Sequence, residues 1–464
     1  MLIRFPNEVH TKATHNIQYL QAELSPSEEI LAPKYPWEIP RTNMYGSVFK
    51  SSKGYEMYYQ CGNALRIGYA FSNDGLAWHR PMMNVTDFST DAPEIVLNKA
   101  YQKGDSIDEG MELTNLVAGY HMPSVIYEPE QALAYKIFSF GEGGYCTLES
   151  KEGKQFIANK NNPVIELITN KNEHTGKTWC SDVAPCFKDK AGYTAMVKTY
   201  VVDDDQRTRR CVGRSISKDF SQWSSVETIW QAGDAEDAIA QARGYQWADF
   251  YGLCPFVYGE AYLGFLWLFE IEKELPRGTN LGKIEVFLAY SPDGKKWQRI
   301  SDTPLIPWDL NFGEEGGMVT TPSAPIFDDD GIKLYYSDCN FEHGYAEKDF
   351  TKKISEPTWV IRCAQLQKER LVGAYSKNGT LELKTICFKG TPVRINVDCT
   401  KGSIKLELKV YGETVSGKTA SGGIIATEII ECTDDINHSL NLPYEGMAEL
   451  TVTLNNATLY AIEV

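Results

Sequence analysis

Three acidic positions carry the clearest chemical potential in this chain. Asp182 stands in TWCSDVAP, Asp249 in YQWADFYG, and Glu314 with Glu315 in the glycine-rich stretch NFGEEGGM. Two carboxyl groups crowded in a partly dry site divide the work of proton donor and proton acceptor, because their pKa values are driven apart. Asp249 lies between Trp247 and Tyr251, which predicts a buried carboxylate. Asp182 reads equally as a cap on a strand opening, and Glu314 and Glu315 as an exposed acidic loop. Trp247, Tyr251 and Trp308 offer flat faces for stacking, or serve only to pack sheets. Arg41, Arg243 and Lys198 can anchor a carboxylate or a phosphate, with plain surface solvation as the other reading. There is no close-set pair of metal ligands, no P-loop, no dinucleotide fingerprint and no GxSxG elbow, so neither metal nor cofactor is expected.

The elements that must position these groups are strands. A short phrase recurs as SNDGLAW (72–78), SKEGKQF (150–156), SKDFSQW (217–223) and SPDGKKW (291–297). A serine, a turn pair and an aromatic residue suit a hairpin whose aromatic folds back onto the sheet. From Asp74 to Glu152, Asp219 and Asp293 the intervals are 78, 67 and 74 residues, enough for four strands with long connections. Period-two runs of Tyr, Phe, Val and Ile precede each phrase, and a fifth unit (323–365) keeps the strands without the phrase. Apolar runs such as LGFLWLF fit strands covered on both faces. Helical periodicity of any length is absent, so the chain reads as all-β. After Arg370 the aromatics thin out and short strands with Gly and Asn turns predict a β-sandwich over 371–464. Residues 1–42 read as an edge strand or a strap joining the two domains, and 43–370 as the repeat domain.

Composition narrows the partners. The 464 residues are 42% hydrophobic and 23% charged, the profile of a folded chain of two or three domains. The formal net charge of -16 repels nucleic acid and suits a neutral or weakly charged ligand better. No apolar run is long enough to span a membrane. The 11 cysteines, without CxxC pairs, read as buried reduced thiols, and the N-terminus lacks the apolar core of a signal peptide; both predict a cytoplasmic setting, with a periplasmic or secreted one if a leader has been trimmed.

The repeated S-x-DG-x-x-W hairpins, YEMYYQCGNALRIGYAFSNDGLAWHRP and IKLYYSDC resemble the five-bladed β-propeller glycosidases of the invertase, arabinanase and β-xylosidase type. KGTPVRINVDCTKGSIKLELKV is similar to the sandwich that follows the propeller in some of them. The resemblance implies a five-bladed propeller with its site at one mouth of the axis. That site is built from the blade openings: Arg41, Asn43 and Tyr45; His121; Asp182; Arg243, Trp247, Asp249 and Tyr251; Glu314 and Glu315; Asp338 and His343. Those enzymes carry Asp where this chain has Asn43, so the carboxylates are redistributed or the chain is not a conventional hydrolase. The loop 91–115 holds Glu94 and Glu109 as possible substitutes.

The resemblance implies a glycoside hydrolase acting on an oligo- or polysaccharide, with Asp182 as base or orienting group, Glu315 or Glu314 as acid, and Asp249 in support. Lys198, His121, His343 and the aromatics would contact sugar. A glycan-binding propeller without catalysis and a glycoside phosphorylase are the alternatives.

Overall fold

The computed structural model describes all residues except 63–65, 85–112, 142, 276–278, 346–355, 390–392, 411–413, 416–417, 420–422 and 441–443. Glu94 and Glu109 lie outside the described residues.

Antiparallel meanders follow one another along the chain. The first is Thr42–Ser51, Gly54–Cys61, Arg66–Ser72 and Leu116–Ala118; the second runs His121–Tyr127, Tyr135–Gly141, Gly144–Ser150 and Ile157–Ala158. The third is Cys186–Asp189, Gly192–Val202, Thr208–Ser217 and Glu227–Gln231. A larger sheet holds two more meanders. One is Trp247–Tyr258, Ala261–Leu275, Thr279–Ser291 and Gln298–Arg299; the other is Met318–Thr320, Ile332–Cys339, Trp359–Leu366 and Glu29–Leu31. A single parallel pair, Ile284 with Met318, joins them. The fourth meander buries both faces, which explains the unbroken LGFLWLF run: Leu263, Phe265, Leu266, Leu268 and Phe269 are all sealed from solvent.

The innermost strands meet on a common axis. A cavity of about 10 Å³ is lined by Tyr45 and Gly46, Met122 to Ser124, Ala184 and Pro185, Cys254 and Trp267, and Thr321 and Ser323, one group from each meander. Ser323 Oγ bonds Ser47 Oγ at 2.8 Å and Ser124 Oγ at 2.6 Å across it. A space of this size is at the lower limit for one water, so the axis is plugged rather than open.

The recurring phrase has a physical role beyond turning the chain. Ser72 Oγ accepts from Gly75 N at 2.9 Å, and Asp74 Oδ1 accepts from Leu76 N and Ala77 N. Ser291, Asp293 and Gly294 repeat this pattern. Gly75 and Gly294 sit at φ 77° and 71°, a region that glycine enters without steric cost. Three of the phrases then dock on a neighbouring sheet. Tyr58 donates to Gly153 O at 2.7 Å and Tyr335 to Gly75 O at 2.9 Å, while Trp223 packs 4.8 Å from Phe138. The first phrase thereby reaches the last sheet.

Among the described residues one α-helix, Asp234–Ala242, departs from the all-strand expectation. Nine residues are too few to show a period, and its start is set locally. Glu236 accepts from Gly233 N at 2.8 Å, and three acidic residues in the first turn favour the positive end of the helix dipole.

Two six-stranded sheets, formed by strands from both ends of the chain, enclose a core of Leu381, Ile395, Ile404, Leu406, Val452 and Leu459. Strand Ser403–Val410 alternates buried and half-buried residues throughout, as a sandwich strand must. The N-terminal residues serve both regions. Leu2–Arg4, Thr11–His15 and Gln18–Gln21 pair with sandwich strands, whereas Glu29–Leu31 pairs with Trp359–Leu366 at the outer edge of the last meander.

Candidate functional site

Above the axial plug the inner strands open into a cluster of charged and aromatic side chains. Trp267 and Trp359 form its floor with Tyr45, at ring separations of 5.4 and 6.0 Å. Tyr251 stands 6.4 Å from Trp267 and 5.4 Å from His343. His121 lies 6.4 Å from Tyr45 on the neighbouring opening.

Asp182 and Lys198 form the centre. Lys198 projects from the middle of strand Gly192–Val202, its side chain only 2% exposed. It donates to Asp182 Oδ1, and its ammonium sits 4.0 Å over the Tyr251 ring. The Asp182 side chain remains 30% exposed, so the carboxylate meets solvent while its cation does not. Burial alone would raise the Asp182 carboxyl, but Lys198 foremost, then His121 and Arg210, more than offset it and hold it below the ordinary aspartate range. Burial also lowers the Lys198 ammonium, and Arg210 adds to that, against the attraction of Asp182.

Arg210 enters from the next strand. Its guanidinium lies 4.7 Å over Trp179 and 5.1 Å over Phe269. With the Asn280 amide turned so that its oxygen faces Arg210, NH1 donates to it at 2.8 Å. Asp249 is fully buried and takes Arg209 Nε at 2.9 Å and Arg210 NH1 at 3.4 Å. Arg209 has further carboxylate partners in Asp237, carried by the helix at 2.8 Å, and Asp203 at 3.2 Å. Asp249 therefore works from below as a counter-ion that fixes the arginine pair, and burial pushes its carboxyl upward against their pull.

His343 completes the rim. Its Nδ1 meets Asn280 O at 2.8 Å and so carries the proton, leaving Nε2 as an acceptor. Burial first, then Arg210, pulls the imidazole down to about 3, so it stays neutral. Arg41 reaches the cluster over Trp359 at 5.4 Å; its Nε donates to Gly62 O at 3.1 Å.

The other sequence candidates lie elsewhere. Asn43 is fully buried and neither of its amide atoms has a partner. Glu314 and Glu315 sit exposed on the short turn Gly313–Glu315, and neither carboxylate makes a hydrogen bond or ion pair among the described residues. Trp247 is buried under Arg207, at 5.4 Å. Arg243 and Trp308 belong to a second cluster that sequence reasoning missed. Arg243 NH1 bridges Glu270 at 3.2 Å and Glu285 at 2.6 Å, Trp308 Nε1 donates to Glu270 at 3.3 Å, and Lys283 lies 3.4 Å over Trp308. Glu270 and Glu285 are sealed from solvent; burial, then the Glu270 charge, pushes Glu285 up to about 8. Arg209, Arg210, Glu270 and Glu285 did carry a signal: charges inside strand runs whose neighbours are apolar must be paired or functional.

No family model matches the chain, and no curated protein matches it. Solved structures do. A thermostable family-43 glycoside hydrolase aligns over 74% of this chain and 92% of its own, at 11% identity and TM-score 0.43. The catalytic domain of a GH62 α-L-arabinofuranosidase from Coprinopsis cinerea aligns over 75% and 97%, at 10% and 0.43. A β-fructofuranosidase from Schwanniomyces occidentalis, complexed with fructosyl-erythritol, covers 95% and 98%, at 9% and 0.39. These are likenesses of fold.

Proposed function

We propose that the chain is a glycoside hydrolase that binds a sugar over Tyr45, Tyr251 and the axial tryptophans and cleaves its glycosidic bond with a carboxylate pair. One observation carries this reading. Asp182, the partly open carboxylate of the axial cluster, is kept ionised by a buried lysine beside aromatic faces of the kind that stack on sugars. In this reading Asp182 activates water or orients the sugar. The proton for the leaving oxygen is assigned to Glu314 or Glu315, whose exposed turn leads into the inner strand Met318–Thr320 and would have to reach the sugar from outside the Asp182 cluster. Asp249 supports Arg210 and does not meet substrate.

The test is a panel of aryl glycosides and plant oligosaccharides, with and without phosphate. On the substrate that emerges, Asp182→Asn is expected to lower kcat by a factor of about 10² to 10⁴, with Glu315→Gln or Glu314→Gln doing likewise. Full turnover by Asp182→Asn ends the proposal. Turnover that requires phosphate replaces hydrolysis with phosphorolysis.

A further inference from the structure

Strand Trp359–Leu366 is only partly covered on its outer side. Leu31 and Glu29 pair with Ile361 and Arg362, and among the described residues no strand continues along Cys363, Ala364, Gln365 and Leu366. The chain that would extend that lane is held away from it. Pro26 has no amide proton to give, Ser27 N donates to Asn311 Oδ1 at 3.0 Å, and Ser27 O accepts from Arg362 NH1 at 2.7 Å. The vacated lane is a groove of about 710 Å³, bordered by the bare edge, by residues 23–30 and by the first turn phrase. That volume is in the range of pockets that enclose a ligand. Leu24, Leu76 and Trp78 give the groove a half-buried apolar lining, while Glu23, Glu28, Glu29 and Asp74 are exposed along it. Among the described residues no basic side chain lines the groove, and no cation pairs with these four carboxylates.

We propose that this groove docks an extended peptide in which basic and apolar residues alternate, added as a strand against Cys363–Leu366. A bare strand edge presents a row of main-chain N–H and C=O groups that only another extended chain can match. Successive side chains of such a peptide point to opposite sides, so its apolar residues turn to Leu24, Leu76 and Trp78 and its basic residues to the four carboxylates. A neutral glycan would leave those carboxylates without a counter-charge. The groove shares no residue with the axial cluster, so peptide docking and sugar chemistry are separate properties of the chain.

The test uses the full chain and the fluorescence anisotropy of a labelled octapeptide of alternating Val and Lys. Two control peptides accompany it: one of alternating Val and Glu, and the Val-Lys peptide N-methylated at every amide, which keeps the charge and loses the main-chain donors. The Val-Lys peptide is expected to bind about tenfold or more tighter than either control. Glu23→Lys combined with Glu28→Lys is expected to weaken it about tenfold or more, whereas Glu130→Lys, an exposed charge reversal outside the groove, leaves it unchanged. Both substitutions fall on exposed side chains, and the N-methylated peptide decides the matter on the unaltered protein in any case. Equal binding of the N-methylated peptide overturns strand addition. Binding that survives the double reversal, or no saturable binding at all, overturns the groove as the docking place. A neutral oligosaccharide that displaces the peptide marks the groove as a glycan site and overturns the peptide assignment. Turnover of glycosides by the double reversal is expected to match that of the unaltered chain, so the hydrolase reading and the docking groove fail separately.

Discussion

The Lys198–Asp182 pair gives the sharpest quantitative expectation. Asp182→Asn strands an ammonium that is 2% exposed, whereas Lys198→Met removes that ammonium and leaves a carboxylate that is 30% exposed and still near Arg210. Stranding a buried charge costs about 3–5 kcal/mol, and the partial opening at Asp182 reduces this to about 2–4 kcal/mol. Lys198→Met should cost about 1–2 kcal/mol, since methionine refills most of the volume and water reaches the remaining carboxylate. The double variant should then fall short of the sum by about 1–2 kcal/mol. Urea unfolding at pH 7, fitted for the transition that Tyr fluorescence and far-UV signals share, measures all four proteins. The pH window follows from the sign. Asp182 is depressed on folding from 3.8, so its stabilisation is complete above that value and is lost as pH falls through the lower folded one. In Lys198→Met, burial pushes the carboxyl up with less opposition, so both the loss of stability and the acid limb of kcat/KM move to higher pH. Strictly additive costs at pH 7, or an acid limb that does not move, would refute the reasoning.

Further tests are independent of that pair. Glu285, raised from 4.5 to about 8 by burial and the Glu270 charge, makes stability fall as pH climbs between those values; Glu285→Gln should flatten a slope of at most about 1.36 kcal/mol per pH unit, read from Tm between pH 5 and 9. Leu31→Asp places a charge at the edge pairing with Ile361, where Leu31 is 3% exposed, and should cost about 2–4 kcal/mol in urea unfolding. Thiol labelling of the native protein should reach Cys180, Cys387 and Cys432, the three exposed among 11 free cysteines, and all 11 after denaturation.

Most of the strand order was legible because it is written in local patterns. The Ser-x-Asp-Gly phrase fixes its turn through Ser72 and Asp74 side chains that bond their own backbone, so no distant residue is needed to read it. The site was less legible. Asp182, Lys198, Tyr251 and His343 were singled out by type and place, and they do assemble. Arg210 was missed although it sits in the same cluster, because its neighbour in the cluster, Asn280, lies seventy residues on and only the folded sheets bring the two together. The same limit applies to Glu270 and Glu285, which adjacent strands hold on one Arg243 nitrogen.

The outer strand of the last meander, Glu29–Leu31, comes from the N-terminal segment ahead of the repeats, and its partner Trp359–Leu366 emerges more than three hundred residues later. The ring therefore has a clasp rather than a weld. Until the final sheet has been synthesised, Glu29–Leu31 is a strand edge without its partner, and such edges are templates for pairing with other chains. Contacts this distant in sequence form slowly. Yield from expression should thus depend more on the crowding of nascent chains than on the stability of the finished molecule.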